Sequence, residues 1–309
     1  MNKTSRILVV GHNDIIETSL FDYFRNNGYA HAASSSEIGL NPTIQSSVYD
    51  YFQKNKPEYV FLASTRSGGI EANQKRGAEF IYHNLESQNN VLYASRKFGV
   101  KKLLFFAGSC VYPKECSQPI KEEYLLTGPL EKTSEPYSLA KIAGIKTCQA
   151  FRNQYGFQAI VMIPATIYGP GSDINIETAH VIGALIGKFA DAVKQSKSEV
   201  VVWGTGHPKR EFLYVDDFVK ASLFLIDCYD QEEMINVGCG EDVTIACLAN
   251  MIAEIAGFKG KITFDPTKPD GTMQKLMDDS RVKNLGWKAE TSLVDGIRKT
   301  YDWYRSIKK

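Results

Sequence analysis

Short, continuously apolar runs alternate along the first half of the chain with longer stretches whose apolar residues recur every three or four positions. Arg6-Ile7-Leu8-Val9-Val10-Gly11 is the first run; a helical pattern carrying Leu20, Phe21 and Phe24 follows and stops near Gly28. Glu58 to Ala63, Lys101 to Ala107 and Phe157 to Pro164 are further runs, and the longest helical pattern between them extends from about Ile70 to Phe98. Strands that are apolar throughout belong in a parallel sheet buried on both faces, and the intervening helices supply the cover.

Past about residue 170 the strand signals become sparser. Val200 to Trp203 is one, followed by a Gly204-Thr205-Gly206-His207-Pro208 turn; Ile262-Thr263-Phe264 and a final helix from Ser292 to Ser306 close the chain. No linker, low-complexity tract or repeat interrupts it. The predicted fold is α/β: a doubly wound parallel sheet over residues 1–170, and a smaller α/β lobe formed mainly by 171–309, with crossing between the two allowed. In such sheets the ligand lies at the carboxyl ends of the strands, so a second lobe there makes a cleft.

Composition narrows the function classes. The chain has 309 residues, 43% hydrophobic and 23% charged, with a formal net charge of +1. That balance gives no global attraction to nucleic acid or a membrane surface. No apolar run approaches 18 residues, and the first strand begins without a signal-peptide layout. Six scattered cysteines form no C-x-x-C pair, so no metal site is expected; reduced thiols in the cytoplasm are the default.

Tyr137 and Lys141 carry the first chemical signal. Four residues apart at the start of a helical pattern, they lie on one face about one turn apart. An adjacent ammonium is expected to favour the phenolate and draw the tyrosine pKa down, making Tyr137 a proton donor or acceptor at a carbonyl or hydroxyl. The spacing alone is common on solvated helices and gains meaning only inside a nucleotide-binding fold.

Several segments supply that setting: Ser109-Cys110-Val111-Tyr112-Pro113-Lys114, Glu135-Pro136-Tyr137 through Lys146, His180-Val181-Ile182, Val202-Trp203-Gly204-Thr205-Gly206, Arg210 to Asp217, Ile235-Asn236-Val237-Gly238 and Lys268 to Thr272. In order and spacing the chain resembles the extended short-chain dehydrogenase/reductases acting on nucleotide sugars, within them the GDP-L-fucose synthase branch, from residue 6 to about 305. The resemblance implies a Rossmann-like fold, NADPH as cofactor and a GDP-4-keto-6-deoxy sugar as substrate. It implies that Cys110 and His180 exchange protons at C3 and C5, and that Tyr137 protonates the C4 oxygen, with Lys141 lowering its pKa and bonding the nicotinamide ribose. Gly11, Asn13, Lys141 and His180 would contact the cofactor; Ser109, Lys188, Trp203, Arg210 and Lys275 would contact the substrate. A homodimer is also implied, joined through the helix from Ile70 and the helix carrying Tyr137.

The chain departs from this pattern in three places. Of the glycine-rich loop only Gly11 remains in Gly11-His12-Asn13-Asp14-Ile15-Ile16-Glu17; Asp14 and Glu17 replace glycines that allow close approach to a pyrophosphate and to the helix. Glu17 also reads as an ordinary first-turn acid that suits the helix dipole. Gly108 stands where the family has a catalytic serine, and Thr166 where it has an asparagine. Ser34, Ser35 and Ser36 suit a 2'-phosphate, and Glu37 a free 2'-hydroxyl. Three readings follow: an epimerase/reductase, an epimerase that has lost the reduction or binds NADPH weakly, and a nucleotide-sugar-binding homologue without turnover.

Overall fold

A computed structural model describes residues 1–63, 66–175 and 179–308, apart from the side chain of Ile70. The first strand β1 (Ile7–Val10) is buried along its whole length, as its unbroken apolar run requires. It is followed by α1 (Ile15–Asn26), β2 (Ala32–Ser34), α2 (Gln45–Asn55) and β3 (Tyr59–Leu62). The long helical pattern is two helices, α3 (Ile70–Lys75) and α4 (Gly77–Lys97), because Arg76 leaves helical geometry at φ −121°, ψ 23°. Then come β4 (Lys102–Phe106), α5 (Glu135–Tyr155), β5 (Ala159–Pro164) and β6 (Thr166–Tyr168).

The second half contributes α6 (Val181–Lys194), β7 (Glu199–Trp203), β8 (Lys209–Tyr214), α7 (Val215–Cys228), β9 (Ile235–Val237), β10 (Asp242–Thr244) and α8 (Ile245–Ala256). The chain ends with β11 (Lys261–Asp265), β12 (Gln274–Lys275), α9 (Ser280–Asn284) and α10 (Leu293–Ile307).

The main sheet has the order β2-β1-β3-β4-β5-β9, and every pairing in it is parallel. From β1 the chain winds to β2 on one side, then returns past β1 to β3 on the other. The strand order therefore reverses beside β1, and a doubly wound sheet opens its ligand crevice at the carboxyl ends of the strands there. This is a Rossmann-like α/β architecture. Its core includes residues far along the chain: Phe218, Val219, Leu225 and Ile226 of α7 and Ile235 of β9 pack with β1, β3, β4 and β5. A second core gathers Ile182, Leu185 and Phe189 of α6 with Leu248, Ile252 and Tyr301.

Helix α5, which carries Tyr137, is tightly seated. Pro136 fits its first turn, where no backbone donor is needed, and Gly156 ends it in the left-handed conformation. Gly144 lies so close to the sheet that a β-carbon there would be 2.3 Å from the Phe105 ring. Gln88 Nε2 of α4 donates to the Ala140 carbonyl at 2.7 Å, tying the two long helices together one residue before Lys141.

Candidate active site

Tyr137 and Lys141 sit one turn apart at the start of α5, and Lys141 is fully buried. Its Nζ donates to the Phe106 carbonyl at the end of β4, 3.1 Å away. Burial pushes its pKa down to about 8, against the pull of Cys110 and Asp14. The expected depression of the Tyr137 pKa does not occur. Burial first, then Cys110 and Asp14, holds the phenol well above its ordinary value. Loss of solvation outweighs a lysine whose ammonium is turned to a carbonyl, so Tyr137 is a neutral phenol and a proton donor.

Cys110 lies in a short 3-10 turn, Ser109–Val111, so the side-to-side alternation expected of extended chain does not apply to Ser109. The thiol is half-buried and points at the Gly108 carbonyl, 3.8 Å away. Burial raises its pKa, opposed by the charges of Lys275 and Lys141. An ideal β-carbon on Gly108 would stand 3.1 Å from Tyr137 Oη and 3.6 Å from Cys110 Sγ. Phenol and thiol therefore converge on the side of Gly108 where a serine hydroxyl would project.

His180 immediately precedes α6 and makes no side-chain cap bond. Its surface is exposed, yet the protein packed around it lowers its pKa, with Asp173 opposing. No hydrogen bond joins Cys110 to His180 among the described residues.

From the second half of the chain, parallel pairing sets Lys275 of β12 in register with Arg210 of β8. Arg210 Nη1 donates to the Lys209 carbonyl at 2.8 Å, and burial lowers its pKa against the charge of Asp270. Burial also lowers that of Lys275, against Cys110. Among the described residues neither cation forms an ion pair, which leaves adjacent positive charges suited to a diphosphate. Nearby, the half-exposed Trp203 ring has Lys188 Nζ at 5.3 Å and Lys268 Nζ at 5.2 Å from its centroid, an aromatic surface flanked by cations. Lys188 also donates to the Val201 carbonyl at 3.1 Å. Lys268 was not singled out from the sequence; its only signal was a place in the Lys268-Pro269-Asp270 turn.

The loop after β1 differs most from expectation. Asn13 takes a left-handed φ of 58°. The Asp14 carboxylate caps α1, accepting from Ile16 N at 3.0 Å and Glu17 N at 2.9 Å. Glu17 is fully buried and turns back into the loop instead of standing as a solvated first-turn acid. Its carboxylate accepts from Asn13 N (2.6 Å), Ser34 Oγ (2.9 Å), Ser35 Oγ (2.8 Å), Ser36 N (2.9 Å) and Ser36 Oγ (2.5 Å). Burial alone would raise its pKa, but the bonds from Ser36, Asn13 and Ser35 bring it below the usual value. The serines read as partners of a 2'-phosphate are thus partners of Glu17. The Glu17 side chain also fills the space beside Gly11, where a β-carbon would meet Glu17 Cβ at 2.4 Å.

A dinucleotide therefore meets two unlike ends. Tyr137 and Lys141 suit a nicotinamide ribose. The phosphate end as folded does not fit, because Glu17 fills the cradle and Asp14 takes the helix N–H groups.

Residues 7–238 match the model of the NAD dependent epimerase/dehydratase family. The chain is 46% identical over 303 residues to GDP-L-fucose synthase 1 of Arabidopsis thaliana, covering 98% of this chain and 94% of that protein. A GDP-6-OMe-4-keto-L-xylo-heptose reductase from C. jejuni superposes with a TM-score of 0.92 at 32% identity, over 99% of both chains. A GDP-mannoheptose C4 reductase from Campylobacter jejuni, with NADP bound, does so with a TM-score of 0.89 at 34% identity, again over 99% of both. The strand-order reversal beside β1, the buried Tyr137–Lys141 pair and these matches agree: the chain belongs to the NAD dependent epimerase/dehydratase family.

Proposed function

We propose that this chain is an epimerase/reductase acting on a GDP-4-keto-6-deoxy sugar, with NADPH as the hydride source. The observation that carries this reading is the convergence of Cys110 and Tyr137 around Gly108, beside Lys141 and facing Lys275. The GDP-L-fucose synthase of Arabidopsis and the GDP-heptose reductases of Campylobacter support the substrate class. Residues 1–170 would supply most of the cofactor side, and 171–309 most of the nucleotide-sugar side.

Arg210 and Lys275 hold the diphosphate, and Trp203 with Lys188 lies beside the nucleotide. The sugar then reaches between Cys110 and His180. A C–H bond next to the C4 ketone is acidic, so a group that accepts a proton and one that returns it invert C3 and C5. Burial raises the Cys110 pKa and lowers that of His180, which suits the thiol to the acid role and the imidazole to the base. When the C4 oxygen gains negative charge, the Tyr137 phenol donates its proton to it, and Lys141 stabilises the phenolate left behind. Gly108 contributes no hydroxyl, so Tyr137 acts there without a serine.

The chain is proposed to act as a homodimer in the cytoplasm. Tyr82 and Tyr93 on α4 and Leu139 and Tyr155 on α5 are large exposed side chains on two packed helices, and all six cysteines are free. No described helix is long and apolar enough to cross a membrane.

The test is incubation with a GDP-4-keto-6-deoxy sugar in heavy water, without and then with NADPH. Deuterium at C3 or C5 before NADPH, and a C4-reduced product after it, are expected. No deuterium uptake while the sugar demonstrably binds would remove the epimerase assignment.

A further inference from the structure

Glu17 stands where the fold ordinarily keeps a glycine. In a doubly wound sheet the pyrophosphate rests at the N-terminus of the first helix, and the adenosine ribose reaches the end of the second strand. Those two places are bridged here by one side chain. The Glu17 carboxylate accepts Asn13 N at the first and the hydroxyls of Ser34, Ser35 and Ser36 at the second. Every group on this list is a donor, so the pocket is built to hold an anion, and Glu17 is the anion it holds. The arrangement is tight: Glu17 has no exposed surface and packs onto Gly11. Asp14 completes it by capping the next two N–H groups of the helix.

We propose that Glu17 is a tethered anion occupying the seat of a dinucleotide's adenylate phosphates, so that NADPH binds only by displacing it. A ligand phosphate entering the loop must break five hydrogen bonds to a buried carboxylate and expel its charge, whereas a glycine would leave the donors open. Among the described residues no hydrogen bond or ion pair joins Glu17 to Arg210 or Lys275 of the nucleotide-sugar wall, so this competition does not act on that wall directly. Glu17 thus separates the two ligands: it weakens the cofactor while leaving the GDP-sugar site ready. The inference rests on the family's dinucleotide seat and not on the identity of the sugar.

The experiment titrates NADPH, 2',5'-ADP and GDP into the full-length protein and its variants by calorimetry, with thermal melting as a check of folding. Glu17→Gly should tighten both NADPH and 2',5'-ADP by at least about tenfold, and leave GDP unchanged. Glu17→Gln keeps the bulk and loses the charge; it should tighten both in the same direction by a smaller factor, and it decides the matter if the glycine variant does not fold. NADPH and 2',5'-ADP affinities unchanged in the folded variants, whether uniformly tight or uniformly absent, would overturn the inference. So would an equal gain for GDP, which would show a general loosening of the fold. Failure of wild-type protein to bind GDP would instead count against the proposed substrate class and leave the Glu17 inference standing on its own two ligands.

Discussion

Lys275 and Arg210, 65 positions apart in the chain, stand side by side because β12 pairs in parallel with β8. Arg210→Ala should weaken GDP binding roughly 10- to 100-fold, the loss expected for charge-assisted hydrogen bonds to phosphate. Arg210→Lys keeps the charge without the planar fork and should fall between. Calorimetry with GDP measures both, and an unchanged affinity in Arg210→Ala would place the diphosphate elsewhere.

Gly108→Ser would restore a hydroxyl beside the phenol. Gly108 has an extended backbone, φ −144° and ψ 157°, which a serine adopts freely. Its β-carbon must push Tyr137 Oη back from 3.1 Å by a few tenths of an ångström. The expected result is faster C4 reduction, by up to about 100-fold, the scale of one added donor at a developing oxyanion. NADPH oxidation reads this, and deuterium exchange should not change. A slower reduction would mean the serine displaces Tyr137.

The pH profile of deuterium exchange tests the thiol. Because burial raises the Cys110 pKa, the thiolate fraction is small at neutral pH. Exchange that uses the protonated thiol as its acid and His180 as its base should hold level near neutral pH and fall by about tenfold per pH unit once the thiol ionises. Cys110→Ser should slow exchange by about 100-fold or more. A rate that instead rises with pH would identify the thiolate as the base and overturn this assignment.

Lys141 makes stability depend on pH with a definite sign. Its folded pKa of about 8 lies below the ordinary 10.5, so the unfolded chain binds its proton more tightly between these values. The contribution of Lys141 to stability is therefore fully present above pH 10.5 and is lost as pH falls towards 8, a change on the order of 3 kcal/mol. Denaturant melts across this window should show the slope, and Lys141→Met should flatten it. Equal slopes in both proteins would mean that Lys141 is solvated in solution.

What the sequence determined by itself is whatever local pattern encodes. Continuous apolar runs located β1, β3, β4 and β5, because a strand covered on both faces is apolar at nearly every position. The helical pattern from Ser292 to Ser306 located α10, and the one that stops near Gly28 located α1. The motif segments located Tyr137, Lys141, Cys110 and Arg210 as candidates in a nucleotide-sugar fold. The tertiary structure alone decided how those groups meet. The pairing of Lys275 with Arg210 depends on strand register between distant segments. The rise of the Tyr137 pKa depends on burial, which no spacing of tyrosine and lysine reports. Glu17 satisfies a helix-dipole rule on paper, yet its carboxylate turns inward because Ser34, Ser35 and Ser36 arrive from another strand with donors that only the fold brings within reach.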